Sequence, residues 1–287
     1  MSRRLTRRTA LLRTLLLPGL ALSGCALFDN SPESLPNRVF KLPQVGLPPD
    51  SIQLDVVYVQ RPVGDALLGD KLWRYADELA AVESEHRDVL KQNGIRAGVI
   101  GSNPPPALQR MLGLKSDFAY EPEAEKTKQL VGHRYIIRSK GQQVIQTSPV
   151  PYPACTLEMQ TGKETRTRSF ENAMCQYRVT AERVQDGWVQ LDFVPQVHHD
   201  QEKLRYTVGA ENWQFESAQK TETMFAQRFG LRLSVGEMAV LTAADNAEGT
   251  LGRLFFIGPE DEPDLQRVLI IRLAGMSAPD LPPAVSQ

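Results

Sequence analysis

The spacing of apolar residues predicts two kinds of region in this chain. From Ile52 to Val59 apolar and polar residues alternate at first and then become continuously apolar, which predicts a strand entering a core. It should be followed by a helix ending at Asn93-Gly94, a strand over 96–100 and a short helix between Pro104 and Gly113. Asp70 can cap an earlier helix with one apolar face, formed by Leu72, Ala76, Leu79 and Val82. We predict a small α/β unit over residues 51–114.

Beyond residue 131 the pattern is that of strands joined by tight turns. Val189, Leu191 and Phe193 alternate with polar residues and should face a core. Asp186-Gly187 supplies the positive φ that the hairpin turn before them requires. Lys140-Gly141 predicts another hairpin, and the apolar runs 254–257 and 268–273 predict further strands. The whole is a larger, mainly antiparallel β-domain over 131–275, so the predicted fold class is α+β.

Proline-rich and charged segments separate these regions. Residues 25–50 carry five prolines after Cys25 among polar residues, which predicts an extended, semi-rigid tether. Residues 115–130 are charged and have few apolar residues, so we place a solvated linker and the domain boundary there. Residues 276–287 are predicted to be a disordered tail.

The first 24 residues have the pattern of a bacterial export signal. Five arginines precede a short apolar run that ends in Leu22-Ser23-Gly24-Cys25. This run is much shorter than the roughly 20 residues that span a bilayer, and the four residues resemble a lipoprotein signal (a lipobox). Cleavage between Gly24 and Cys25 would leave Cys25 as a lipidated N-terminus, held in the membrane by two or three acyl chains. Arg7-Arg8 also resembles a twin-arginine signal, so the Sec and Tat export routes both stay open.

Loss of this signal changes the charge of the protein. The full chain has 33 basic and 34 acidic residues, and the signal removes five arginines, so the mature protein is acidic. An acidic chain without a basic block gives no reason to expect nucleic-acid binding. No second long apolar run is present, which leaves the lipid on Cys25 as the membrane attachment. Ala26 favours the periplasmic face of the outer membrane over the inner membrane.

Cys155 and Cys175 are the remaining cysteines. An even pair in an exported protein predicts a disulfide, which would stabilise the fold by roughly 3 kcal/mol for a loop of about 20 residues. Two buried free thiols are the first alternative, and a metal-binding or reactive thiol is the second.

Sequence motifs for chemistry are few. Nucleophile elbows, phosphate-binding loops and paired zinc ligands are absent from the sequence, and we expect no cofactor. His198, His199 and Asp200 are weak candidates for a metal site, because neighbouring residues of a strand point to opposite faces. A polar strand end explains them more simply. Several aromatic residues could line a groove but more often form core: Trp188, Trp213, Phe215, Phe225 and Phe229.

The last hundred residues resemble the C-terminal β-domain of secretins, the outer-membrane channels of bacterial secretion systems. Residues 188–195 are similar to its opening strand, which ends in proline, and residues 231–240 to its strand, Gly-Glu turn and strand. Residues 250–255 are similar to its Leu-Gly-x-Leu-Phe segment, and residues 268–273 occupy the place of its terminal strand. The resemblance implies a sheet fold and an envelope setting. Residues 201–220 are polar where membrane-spanning strands would fall, which argues against a pore.

These observations favour a lipid-anchored cell-envelope protein with a structural or binding role, without catalytic activity. Its protein partner in the envelope is not indicated by the sequence. Two alternatives stay open. One is a subunit or relic of a secretin-like assembly, and the other is an exported enzyme whose active-site residues are scattered along the chain.

Overall fold

Two antiparallel sheets dominate the computed structural model, which describes residues 47–79, 81–113, 130–161, 164–208, 213–258 and 265–279. Sheet 1 has the strand order β2-β10-β11-β1-β3, with these bounds: β1 Ser51–Pro62, β2 Ile95–Ile100, β3 Leu130–Arg138, β10 Met238–Ala243 and β11 Leu265–Met276. Sheet 2 has the order β4-β6-β7-β8, with β5 paired to β6 and β9 to β7. Its strands are β4 Gly141–Gln146, β5 Tyr152–Thr161, β6 Glu164–Gln185, β7 Trp188–Val208, β8 Trp213–Thr223 and β9 Phe229–Ser234.

The helices are short. They are α1 Asp70–Trp73, α2 Ser84–Gln92, α3 Pro106–Met111 and α4 Leu251–Phe256. The mainly antiparallel β content confirms the predicted fold class, with helices as a minor part. No helix in the described ranges is long and apolar enough to cross a membrane.

Sheet 1 is covered on both faces, which explains its continuously apolar strands. In β1, Ile52, Leu54 and Val56 belong to the core shared with sheet 2, whereas Val59 packs with α1 and α3 on the opposite face. All six residues of β10 are buried for the same reason. An antiparallel strand with two buried faces loses the apolar-polar alternation that one solvated face would impose.

An aromatic cluster fills the space between the sheets. The Phe193 and Phe229 rings stack with centroids 4.8 Å apart, and Tyr177 packs edge-on against Phe193 at 5.8 Å. Phe255 of α4 lies 5.0 Å from Tyr177. All four side chains are buried, so this cluster is the centre of the inter-sheet core.

The predicted boundary between residues 51–114 and 131–275 is wrong for the sheets. β1 pairs with β11 and β3, and β2 pairs with β10, so strands from both predicted domains form one sheet. The described residues from Leu47 onward belong to one compact unit. β1 is a central strand of sheet 1, and its two partners, β3 and β11, are distant from it in sequence. The predicted linker lies outside the described residues except for Leu130, which begins β3.

The two ends of this unit are joined. Met276 ends β11 opposite Ile52, and the amide of Ser277 donates to the Ser51 carbonyl at 2.9 Å. The first residues of the predicted tail are therefore ordered by strand pairing.

Three local predictions are also wrong. The helix predicted from Asp70 ends at Trp73, since Asp77 forms two backbone hydrogen bonds with Val99 of the edge strand β2. The apolar run 254–257 forms the end of α4 and its C-cap residue Ile257 rather than a strand, and short apolar runs do not distinguish the two. Lys140-Gly141 does not close a hairpin: β3 pairs with β1 and β4 with β6, so this turn carries the chain from sheet 1 to sheet 2.

Other local predictions are confirmed. The β6–β7 hairpin turns at Asp186-Gly187, where Gly187 has φ 80°. Val189, Leu191 and Phe193 are fully buried. Asn93-Gly94 ends α2, with Gly94 at φ 67°.

Candidate functional site

A cleft opens between the two sheets at the edge formed by β3 and β4. Its volume is about 440 Å³. Strands β1, β3 and β11 of sheet 1 contribute one wall, and β4 with the segment after it contributes the other. The lining residues of this inter-sheet cleft are Tyr58, Gln60, His133, Tyr135, Val144, Gln146, Thr147, Ser148, Pro149 and Arg267.

Strand register explains why these residues meet. Tyr58 and Gln60 continue the β1 face that carries Ile52, Leu54 and Val56 farther inside. Gln60 lies opposite Arg267 of β11 in the register, so both lie at the same end of sheet 1. Polar residues thus follow apolar ones along the same strand face, and the core gives way to a polar cleft.

Arg267 is the charged residue of this lining, and it is only 5% exposed. Its Nη2 donates to the Tyr152 hydroxyl at 2.6 Å, and its Nη1 donates to the carbonyl oxygen of Thr147. Both acceptors are neutral. Among the described residues, no carboxylate lines the cleft and none forms an ion pair with Arg267.

The floor of the cleft is held by the backbone of Cys175. The amide of Thr147 donates to the Cys175 carbonyl at 2.9 Å, and the Cys175 amide donates to the Ser148 hydroxyl at 2.9 Å. These hydrogen bonds fix the Thr147–Ser148 segment against β6 of sheet 2. Arg267 reaches that segment from sheet 1, so it links the two sheets at the cleft.

Tyr58 is a neutral hydrogen-bonding group in this setting. Burial raises the pKa of its hydroxyl, the nearby Tyr135 raises it further, and Arg267 acts in the opposite direction. Because desolvation disfavours the phenolate, Tyr58 keeps its proton at physiological pH and can donate a hydrogen bond.

The candidate metal-site residues His198, His199 and Asp200 are not among the lining residues of this cleft. Gly24 and Cys25 fall outside the described residues. His198 accepts a hydrogen bond at Nε2 from the Gln176 amide at 2.7 Å. His199 Nδ1 donates to Asp200 Oδ1 at 3.0 Å. Each histidine thus has its own protein partner.

Asp200 is also occupied by protein groups. Its Oδ2 accepts from Lys220 Nζ at 2.7 Å, and hydrogen bonds from Lys220 and then His199 lower the pKa of its carboxyl to about 2. Asp200 has a φ of 64° and lies where the β7–β8 pairing is irregular, between His199 and Lys203. No metal-binding group of three or more His, Cys, Asp or Glu side chains occurs within the described ranges.

Cys155 and Cys175 are both free thiols in this structure, without the predicted disulfide. Cys155 lies opposite Phe170 in the β5–β6 register, whereas Cys175 lies five residues farther along β6, opposite Val197. Burial raises the pKa of Cys155 to about 11 and that of Cys175 well above its ordinary value, so both stay protonated.

Of the five aromatic residues considered for a groove, the three with described side chains do not share one surface. Phe229 is buried in the inter-sheet core, whereas Phe225 is 60% exposed and Trp188 is 36% exposed. The side chains of Trp213 and Phe215 lie outside the described set.

Sequence reasoning missed the cleft because its residues come from four separate stretches of the chain. Only strand pairing brings residues 58–60, 133–135, 144–149 and 267 together. One signal was available: Gln266-Arg267 precedes the apolar run 268–271 inside a single strand. An arginine in a central strand is rarely buried without a function or a partner.

Comparisons with known proteins give no match, whether against family models, curated proteins or solved structures.

Proposed function

We propose that this is a lipid-anchored cell-envelope protein whose role is to bind a ligand, without catalysis, in the inter-sheet cleft. The observation that carries the binding role is the convergence of polar side chains, led by the buried Arg267, on open volume between two sheets. Protein interiors are otherwise close-packed and keep few voids larger than a water molecule. A cavity of about 440 Å³ falls within the size range of small-molecule sites.

The side chains of the lining suit binding better than catalysis. Ser148 is the serine of the cleft, and its hydroxyl accepts from the Cys175 amide and donates to the Cys175 carbonyl at 3.4 Å. A catalytic serine needs a base, such as histidine, as its hydrogen-bond partner. Across the described residues, no hydroxyl of this cleft is hydrogen-bonded to His133.

The envelope location rests on the signal at Leu22-Ser23-Gly24-Cys25. We expect Cys25→Ser to abolish acylation, because the serine hydroxyl cannot replace the thiol that receives the diacylglyceryl group. Fatty-acid labelling with membrane fractionation measures this. Labelled, membrane-retained Cys25→Ser protein would contradict the anchoring part of the proposal.

A fragment screen tests the binding part. Ligand-observed NMR with a library of small polar and aromatic fragments would compare the wild type with Val144→Trp, which fills the cleft from a residue that is 45% exposed. The matched control is Val184→Trp, at a valine that is 48% exposed and outside the cleft lining. We expect fragments to bind the wild type and the control and to lose binding in Val144→Trp. Equal binding by all three proteins, or by none, would contradict a cleft site.

A further inference from the structure

The guanidinium of Arg267 has more N–H donors than its two described hydrogen bonds use. A guanidinium carries five N–H donors in a planar fork and no acceptor. Two nitrogens of Arg267 donate to Thr147 and Tyr152. The remaining donors belong to a side chain that lines open volume.

A second buried arginine, Arg61, has a carboxylate partner, whereas Arg267 has none among the described residues. Arg61 is 1% exposed, and its Nε donates to the carboxylate of Asp65 at 2.8 Å. Arg267 is 5% exposed, and both of its described acceptors are neutral oxygens. Taking an unpaired charge out of water is strongly unfavourable, so buried charges are normally paired. The cleft therefore supplies a cation whose counter-ion the described chain does not provide.

The number and shape of the charged groups select the anion. A single guanidinium matches a single negative charge, and its planar fork matches a carboxylate in a bidentate arrangement. A phosphate dianion would leave about one negative charge uncompensated in a partly buried site. A monocarboxylate therefore fits better than a phosphate.

The rest of the lining suits an apolar body on that carboxylate. Tyr58, Tyr135 and Val144 offer aromatic and aliphatic surface, and the neutral Tyr58 hydroxyl can donate to a carboxylate oxygen. Gln60 and Gln146 add further neutral amide donors. Donors and apolar surface thus surround one cation, and none of the described lining residues is acidic.

We propose that the ligand of the inter-sheet cleft is a monocarboxylate whose carboxylate pairs with Arg267. This inference rests on the proposed binding function and names its ligand class. The carboxylate has two possible sources, a free monocarboxylic acid or the C-terminus of a polypeptide, and the chemistry of recognition is the same for both.

Isothermal titration calorimetry with matched probes tests the inference. Benzoate is the carboxylate probe, benzamide is its neutral counterpart of similar shape, and phenylphosphonate is the dianion. We expect benzoate to bind the wild type at least about tenfold more tightly than either of the other probes, as charge-assisted hydrogen bonds imply. A short peptide and its C-terminal amide form a second pair of probes. Binding of benzoate identifies a free acid as sufficient, and binding of the peptide acid alone identifies a polypeptide C-terminus.

Substitutions locate the charge that is responsible. Arg267→Gln should weaken benzoate at least about tenfold, and Arg267→Lys should retain part of the affinity. Arg272→Gln is the matched control: it removes an exposed arginine on the same strand, at a position of opposite parity, and should leave affinity unchanged. If Arg267→Gln fails to fold, the comparison of probes on the wild type decides alone.

Two outcomes would overturn the monocarboxylate assignment. One is benzamide binding as tightly as benzoate, which would leave a neutral-ligand site and the proposed function intact. The other is the absence of binding by benzoate and by the peptide acid. In that case the fragment screen shows separately whether the cleft binds anything.

Discussion

The space between the two sheets has two regions, one filled by aromatic side chains and one lined by polar side chains. Around Tyr177 the sheets close on an aromatic cluster in which Phe193 and Phe229 stack at 4.8 Å. Around Arg267 the same sheets separate into a cleft lined by amides, hydroxyls and one guanidinium. The aromatic region is what a packed core requires, whereas the polar region adds open volume that packing alone does not explain.

Two tyrosines make the comparison concrete. Both Tyr152 and Tyr177 are fully buried. The Tyr152 hydroxyl accepts a hydrogen bond from Arg267 at 2.6 Å, whereas the Tyr177 hydroxyl has no hydrogen-bond partner in the described part of the chain. The Tyr152 hydroxyl is thus hydrogen-bonded at the cleft, whereas the Tyr177 hydroxyl lies in the aromatic cluster without a described partner. Replacing each tyrosine with phenylalanine should therefore change the free energy of unfolding in opposite directions.

The largest effect is expected from opening the aromatic cluster. Phe193→Ala should lower the free energy of unfolding by about 3–5 kcal/mol, because it removes a fully buried ring and leaves a cavity. Phe225→Ala is the control, since Phe225 is 60% exposed and should cost less than about 1 kcal/mol. Urea unfolding followed by circular dichroism measures both. Similar losses for the two variants would refute the cluster as the centre of the core.

Tyr152→Phe should have the next largest effect. It removes the acceptor of a hydrogen bond from the buried Arg267, which should lower the free energy of unfolding by about 1.5–3 kcal/mol. The same urea titration applies. A stability equal to that of the wild type would mean that Tyr152 does not hold Arg267 in place.

Tyr177→Phe should act in the opposite direction. Removing a buried hydroxyl without a partner relieves a desolvation penalty, so the free energy of unfolding should rise by about 1 kcal/mol. The sign is the critical result. A destabilisation comparable to that of Tyr152→Phe would remove the contrast between the two regions.

The smallest effect concerns His198, outside both regions. Burial, followed by the neighbouring His199, lowers the pKa of His198. The unfolded chain therefore binds this proton more readily than the folded chain, and stability should fall as the pH decreases through about 6.5. His198→Gln should flatten this part of the pH profile. An unchanged profile between pH 7 and 5 would assign the dependence to other groups.

Strand identity was largely predictable from sequence, because apolar alternation depends on local residues alone. The core face of β7 and the C-terminal end of α2 followed from patterns of two to four residues. Which strands pair with each other was not predictable from local residues. Lys140-Gly141 has the composition of a hairpin turn, yet the strands on its two sides pair with β1 and β6 in different sheets.

The cleft escaped prediction for the same reason. Tyr58 and Arg267 lie more than two hundred residues apart in sequence and become neighbours only through β1–β11 pairing. The sequence singled out His198 to Asp200, which are adjacent in the chain. Their polar groups are hydrogen-bonded to side chains of the protein itself. Local clustering in sequence was therefore a poor guide to the site.

The most direct test of a ligand site in the inter-sheet cleft is chemical-shift mapping on the wild-type protein. Benzoate would be titrated into ¹⁵N-labelled protein while the backbone amides and the Arg267 Nε–H are followed. We predict that the largest changes cluster at Tyr58, Tyr135, Ser148 and Arg267, with the amides around Phe193 unaffected. Changes centred elsewhere, or spread evenly over the protein, would contradict the account.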